Sequence, residues 1–280
     1  MTRVALKDIS LAVAEWPGPA RGPAVVCIHG LTANHTCWAS IADVLSPAHR
    51  LIAYDLRGRG DSDKPERGYS LAHHDEDLLG LLDHFGLKKA VLLGHSLGAG
   101  IALRFAAMHP ERVAKLVLVD GGLDVRAEVL DSLRPAINRL GVEFPSLDMF
   151  LGFLRMLPMF EGRWSEYLER YFRYDVEVLP AGTVRSKASR PAIEEEIANL
   201  ERERLWVWHH QVKAPTLIFR APDGLLTATD CLMTQEEAEA LARAIPRAKL
   251  VVVPGTNHYT VLLGQNPKVK SALRAFLKAA

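Results

Sequence analysis

Cysteine is scarce in this chain: three in 280 residues, at positions 27, 37 and 231. Their wide spacing and odd number argue against a disulfide framework, and no Cys/His cluster has metal-site spacing, so no metal is expected. Cys27 lies inside an apolar run and reads as a small core residue. An excess of one charge is missing too: 34 Lys and Arg stand against 33 Asp and Glu, a net charge of +1. With no long basic run, a nucleic-acid surface or a partner chosen mainly by charge is not expected. No window approaches the ~18 consecutive apolar residues of a membrane span. The opening MTRVALKDIS lacks the apolar stretch of a signal peptide. The expectation is a cytoplasmic protein of one large α/β domain, or a core with an insertion, without repeats or low-complexity tracts.

What is present is alternation. Short β-branched runs at 24–28, 50–54, 90–93 and 115–119 are separated by helical periodicity over 38–45, 71–85 and 97–108. The pattern resumes with a strand at 216–219, a helix at 235–244, a strand at 249–253 and a helix at 267–278. Such a rhythm implies a parallel sheet covered on both faces. Residues 4–16 alternate more loosely and suit an antiparallel edge hairpin. Between 123 and 212 the rhythm changes to helical pieces at 134–140, 149–157, 165–174 and 193–210, with no strand-like run. Met149, Phe150, Phe153, Leu154, Met156, Leu157, Met159 and Phe160 give this stretch more apolar side chains than one helix face requires. They suit packing between helices, with an apolar pocket wall as the sharper reading.

The stretch VLLGHSLGAG places Ser96 in a G-x-S-x-G pattern after an apolar run and before a helix-prone segment, the context of a nucleophile elbow. A serine hydroxyl needs a base to attack. Of eleven histidines, His29 is read as shaping a loop. His73, His74, His84 and His109 are read as solvated on helix faces or ends, and His209 and His210 lack a partner motif. His258 follows the strand LVVVP in the loop PGTNHYT, which a parallel sheet delivers to the edge that carries Ser96. It is the expected base. The Leu97 amide, at a helix N-terminus, and the Leu31 amide, after CIHG, are the expected oxyanion donors.

Together, HGLTAN, DLRGRGDSDKP, GHSLGAG and NHY, in this order and spacing, resemble the α/β-hydrolase family along almost the whole chain. The RGD within the second motif is an incidental match to an adhesion signal. The resemblance implies an α/β-hydrolase fold, a mostly parallel eight-stranded sheet with helices on both faces and a helical cap insertion. Residues 1–122 and 213–280 are the expected core and 123–212 the expected cap. It also implies a Ser-Asp/Glu-His triad in that order. Family members usually place the acid in a G-x-x-D turn after the seventh strand. Here PTLIFRAPDGLLTATD carries Ala221 in the glycine place and Gly224 in the aspartate place, with Asp223 one residue early and Asp230 late. Asp120, ending KLVLVD, is similar to the acid that certain haloalkane dehalogenases and ring-degradation amidohydrolases place after the sixth strand. Those amidohydrolases also share the HG-x-T-x-N loop and the HY after the last strand. The ranking is Asp120, then Asp223, then Asp230.

The expected chemistry is acyl transfer to water through an acyl-serine, with no cofactor. A carboxylesterase acting on small to medium, largely apolar substrates comes first. Hydrolysis of an amide, enamide or lactone, or of a carbon–carbon bond in aromatic degradation, comes second; the non-enzymatic alternative is a small-molecule receptor. Dehalogenation is disfavoured because it uses a carboxylate at the elbow. Asn34, His35, Trp38, His95 and Tyr259 are candidate substrate contacts, though Asn34 also suits a helix cap and Trp38 a packing role. Asn257 is read as positioning the histidine loop and Arg57 as stabilising the 55–63 loop. The only partner expected is a small-molecule substrate, with a homodimer left open.

Overall fold

The structure is a computed structural model that describes residues 1–19, 22–227 and 229–278. The strands are β1 (Thr2–Ala5), β2 (Ser10–Trp16), β3 (Val25–Ile28), β4 (Leu51–Tyr54), β5 (Ala90–His95), β6 (Val113–Val119), β7 (Glu143–Phe144), β8 (Val176–Val178), β9 (Val184–Ser186), β10 (Thr216–Arg220) and β11 (Ala248–Val252). The helices are α1 (Ala39–Leu45), α2 (Leu71–His84), α3 (Leu97–Met108), α4 (Ala127–Asn138), α5 (Leu147–Arg155), α6 (Glu166–Asp175), α7 (Arg190–Leu200), α8 (Trp206–His209), α9 (Gln235–Ala244), α10 (Thr260–Leu263) and α11 (Pro267–Lys278).

Eight strands form one sheet in the order β1-β2-β4-β3-β5-β6-β10-β11. The pairs β1–β2 and β2–β4 are antiparallel, so the N-terminal hairpin lies at one edge, and every other pair is parallel. Alternate residues of the central strands go to opposite cores, as the two-residue period of a strand requires. Val26, Ile28, Leu92, Leu116 and Ile218 join α2, α3 and α9 on one face. Val25, Cys27, Leu93, Val117 and Phe219 join α1 and α11 on the other. Both faces are therefore dry, and the strands read as continuous apolar runs rather than alternating ones.

Segment 123–212 departs from the helix-only expectation. Three short strands in it form a separate antiparallel sheet, β7-β9-β8. Two or three residues are too few to display a strand period, which is why the sequence hid them. The helix expected from 134 begins at Ala127, and Pro135 lies inside it. The helix expected over 193–210 divides into α7 and α8, separated by the turn at 201–205. Ser146, Ser165 and Ser189 each accept a hydrogen bond from a backbone amide at the start of α5, α6 and α7. Phe150, Phe160, Trp164 and Phe172 pack edge to face or stacked with ring centres 5.4–6.3 Å apart. The apolar surplus at 149–160 thus belongs mainly to packing, with Met149 and Met156 left exposed.

Candidate active site

Residues at the C-terminal ends of β3, β5, β6, β10 and β11 converge on one edge. At the end of β5 the chain turns through Ser96 with φ 56° and ψ −121° into α3. A side chain at Gly94 would overlap the Gly98 carbonyl, and one at Gly98 would overlap the Ile28 carbonyl, so both flanking positions require glycine. Ser96 receives its own backbone support from the Val119 carbonyl, 3.1 Å from its amide.

Asp120 directly follows β6, also at positive φ (46°), and is 2% exposed. Its Oδ2 lies 2.8 Å from His258 Nδ1, and its Oδ1 accepts the Ala221 amide at 3.0 Å. A carboxylate so placed fixes the proton of His258 on Nδ1 and leaves a lone pair on Nε2. The position expected for glycine in a G-x-x-D turn therefore serves, through Ala221, to hold the aspartate of the neighbouring strand. Asp223 forms an ion pair with Arg163 at 2.9 Å. Asp230 accepts the amides of Leu225, Leu226 and Thr227 at 2.8–3.0 Å. Among the described residues neither carboxylate is paired with His258. The histidine loop is built by Asn257, whose Oδ1 accepts from the Tyr259 and Thr260 amides and whose Nδ2 donates to the Met159 carbonyl.

The loop after β3 is gripped from behind. Leu56 donates its amide to His29 Nε2, so the His29 proton sits on Nδ1, which donates to the Gly30 carbonyl at 2.8 Å. Burial lowers this ring to about 4, keeping it neutral. Arg59 Nε donates to the Leu31 carbonyl at 2.9 Å, and Arg139 donates to the Thr32 carbonyl at 3.2 Å. Three consecutive carbonyls are thereby held. Among the described residues neither the Leu31 nor the Leu97 amide is given to another protein acceptor, and both residues line a cavity with Ser96.

Two cavities meet at Ser96 and Leu31. The larger, about 770 Å³ counted to its open mouth, is walled by Val129, Leu130 and Leu133 of α4 with Leu123, Val125, Leu200, Leu205, Leu232 and Met233. Its charged members are Asp120, Asp124 and Glu203. The smaller, about 360 Å³, is lined by Gly30, Leu31, Thr32, His95, Ser96, Tyr171, His258 and Tyr259 among others. Among the described residues neither has a lysine or arginine in its wall.

Of the candidate contacts, His95 and Tyr259 line the smaller cavity. Asn34, His35 and Trp38 do not line either cavity. Asn34 caps the turn at His35–Trp38 by accepting the Thr36 amide, His35 bonds Asp55 at 2.9 Å, and Trp38 is wholly buried in the core. The indole belongs to the core on the α1 face of the sheet, and all four side chains of this short turn are buried. His74 is a further departure: it is not solvated but buried against Glu196 at 2.9 Å. His209 donates to the Gly122 carbonyl and supports a turn. Arg57 spends its guanidinium on Asp77 and the Gly68 carbonyl. The sequence reading missed Arg59 and Glu196, which pair at 2.5 Å with both side chains dry. Glu196 shares an apolar stripe with Ile193 and Leu200, and that lone carboxylate was the available signal.

A family model described as the alpha/beta hydrolase fold matches residues 23–265. The chain is an α/β-hydrolase. It is 31% identical over 260 residues to 2-(acetamidomethylene)succinate hydrolase of Mesorhizobium japonicum, covering 92% of this chain and 88% of that one. The crystal structure of E-2-(acetamidomethylene)succinate hydrolase superposes with a TM-score of 0.87 at 28% identity, over 99% of this chain and 98% of that one. An α/β-hydrolase of Novosphingobium aromaticivorans, 23% identical with a TM-score of 0.81 over 99% and 97% of the chains, shares the fold. Among the described residues of this hydrolase no helix is long and apolar enough to cross a membrane.

Proposed function

We propose that this α/β-hydrolase cleaves acyl bonds of uncharged, largely apolar substrates through an acyl-serine. The Asp120–His258 contact beside Ser96, opening on a cavity with no cationic side chain among the described residues, carries the reading. His258 Nε2 takes the Ser96 proton as Oγ attacks the acyl carbon. The Leu31 and Leu97 amides hold the oxyanion, and His258 passes the proton to the leaving group as its bond to the acyl carbon breaks. Water, deprotonated by the same ring, then releases the acid. Segment 123–212 acts as the cap, with α4 supplying much of the apolar wall.

Sequence reasoning placed esters first. Similarity to a hydrolase whose named substrate carries an acetamido group moves the amide bond ahead of the ester. The substrate's two succinate carboxylates do not carry over: they need cationic partners, and the larger cavity's wall offers aspartate and glutamate instead.

The test is a panel of neutral acyl esters and amides of graded length beside half-amides and half-esters of succinate. Neutral substrates are expected to exceed the succinyl ones by about tenfold or more in kcat/KM, a difference of about 1.4 kcal/mol. Ser96→Ala is expected to abolish turnover and labelling by a fluorophosphonate. Preference for the succinyl compounds overturns the substrate reading, and turnover surviving Ser96→Ala overturns the mechanism. Labelling without multiple turnover would favour a receptor.

A further inference from the structure

His95 ends β5, one residue before the nucleophile, and its ring is 6% exposed. Its Nε2 lies 2.9 Å from the His258 carbonyl oxygen. A carbonyl only accepts, so Nε2 carries the hydrogen and Nδ1 is a bare lone pair. That Nδ1 is buried with no hydrogen-bond partner among the described residues. A side-chain carbon at Gly30 would stand 3.4 Å from both this nitrogen and Ser96 Oγ, so the missing side chain keeps open the space that the two atoms share. The ring also lies against His258, with centroids 4.4 Å apart, and lines the smaller cavity with Ser96 and His258. Burial, and then His258, hold His95 well below the usual histidine range, so it stays an acceptor.

Buried acceptors in folded proteins are almost always satisfied, and one left bare beside a nucleophile calls for a ligand donor. Resting on the acyl-serine reading above, we propose that His95 Nδ1 accepts the hydrogen bond of a scissile amide N–H. An amide nitrogen is planar in the substrate and becomes pyramidal as Ser96 Oγ bonds to the carbon. Its new lone pair must face the proton on His258 Nε2, which turns the remaining N–H away, into the smaller cavity that His95 lines. An acceptor waiting there preserves that hydrogen bond in the transition state, where it counts toward rate. The C–N bond then breaks, the nitrogen leaves with the proton from His258, and the proton shared with His95 stays on nitrogen throughout. An ester oxygen has no such hydrogen and gains nothing from this contact. The arrangement therefore selects N–H amides over esters and over N-alkylated amides.

His95→Gln and His95→Asn divide the ring's two roles. Gln reaches the Nε2 position and keeps a donor for the His258 carbonyl, whereas Asn keeps an acceptor near the Nδ1 position. Each variant is assayed on the p-nitrophenyl ester, the p-nitroanilide and the N-methyl-p-nitroanilide of one neutral acyl group. For His95→Gln, kcat/KM on the anilide is expected to fall about tenfold or more relative to the ester, with most of the loss in kcat. The preference for the anilide over its N-methyl analogue should shrink in the same variant. His95→Asn is expected to keep the wild-type anilide-to-ester ratio within about threefold. Equal losses on ester and anilide in His95→Gln overturn the proposal and assign the nitrogen to the hydrolytic water or to the fold. A wild-type enzyme that cleaves the ester but not the anilide overturns it as well, while leaving the acyl-serine reading intact. Ester turnover that survives Ser96→Ala, run in parallel, removes that reading instead.

Discussion

Ser96 and Asp120 both hold φ in the left-handed region, at 56° and 46°. For residues with a Cβ such a conformation costs on the order of 1–3 kcal/mol and persists only where the surroundings enforce it. Here the enforcement is visible: the Val119 carbonyl takes the Ser96 amide, and the Phe219 carbonyl takes the Asp120 amide. Under the acyl-serine reading Asp120 sets which His258 nitrogen bears the proton. Asp120→Asn is therefore expected to lower kcat by about 10³–10⁴ without unfolding the chain, because an amide in that place favours the wrong tautomer. Asp223→Asn, which breaks only a part-exposed pair with Arg163, is expected to leave kcat within about twofold. Steady-state rates on one neutral ester compare the two directly. If Asp223→Asn proves the crippled variant, Asp120 is not the acid.

Among the elements, the loop after β4 couples the sheet to segment 123–212 through one carboxylate. Asp55 is wholly buried and accepts from the His35 amide, His35 Nδ1, the Asp61 amide and the Tyr174 hydroxyl of α6. Burial alone would raise its pKa, but the hydrogen bond from His35 and the electrostatic pull of the neighbouring His35 and His29 rings outweigh that and hold it at about 2. An unfolded aspartate titrates near ~3.9. The folded form is thus favoured above that pH, and the contribution is lost as the pH falls from about 4 toward 2. The shift corresponds to about 2–3 kcal/mol. Asp55→Asn is expected to be less stable than the parent by that amount at pH 6, with the gap closing below pH 4. Urea unfolding across this range measures it; a gap that stays constant with pH assigns the loss to hydrogen bonding alone.

The molecule as a whole is joined by a dry ionic cluster in which Glu196 of α7 meets Arg59 and His74 of the sheet-bearing part. Since Arg59 also grips the Leu31 carbonyl, the seating of α7 and the shape of the oxyanion loop share a side chain. Removing one partner strands a buried cation, so Glu196→Ala is expected to cost about 3–5 kcal/mol in chemical denaturation. It should also lower kcat on a neutral ester. A loss below 1 kcal/mol would show that α7 is seated by its apolar contacts. Such long-range pairing was not legible beforehand: Arg59 looked like part of an incidental GRGDS string, and nothing local links it to a residue 137 positions away. The three-stranded sheet β7-β9-β8 was hidden for a related reason, since strands of two or three residues have no period of their own. By contrast, the parallel sheet, the edge hairpin, the glycine-flanked serine and the histidine loop were legible. The two-residue and 3.6-residue periods and the glycine requirement act over a few neighbours, so chain order alone encodes them. Only tertiary structure decided which aspartate meets His258, that Asn34, His35 and Trp38 turn inward, and that His95 keeps a bare nitrogen beside Ser96. Each of these depends on strands brought side by side from distant parts of the chain, where distances of about 3 Å are set by packing and not by sequence spacing.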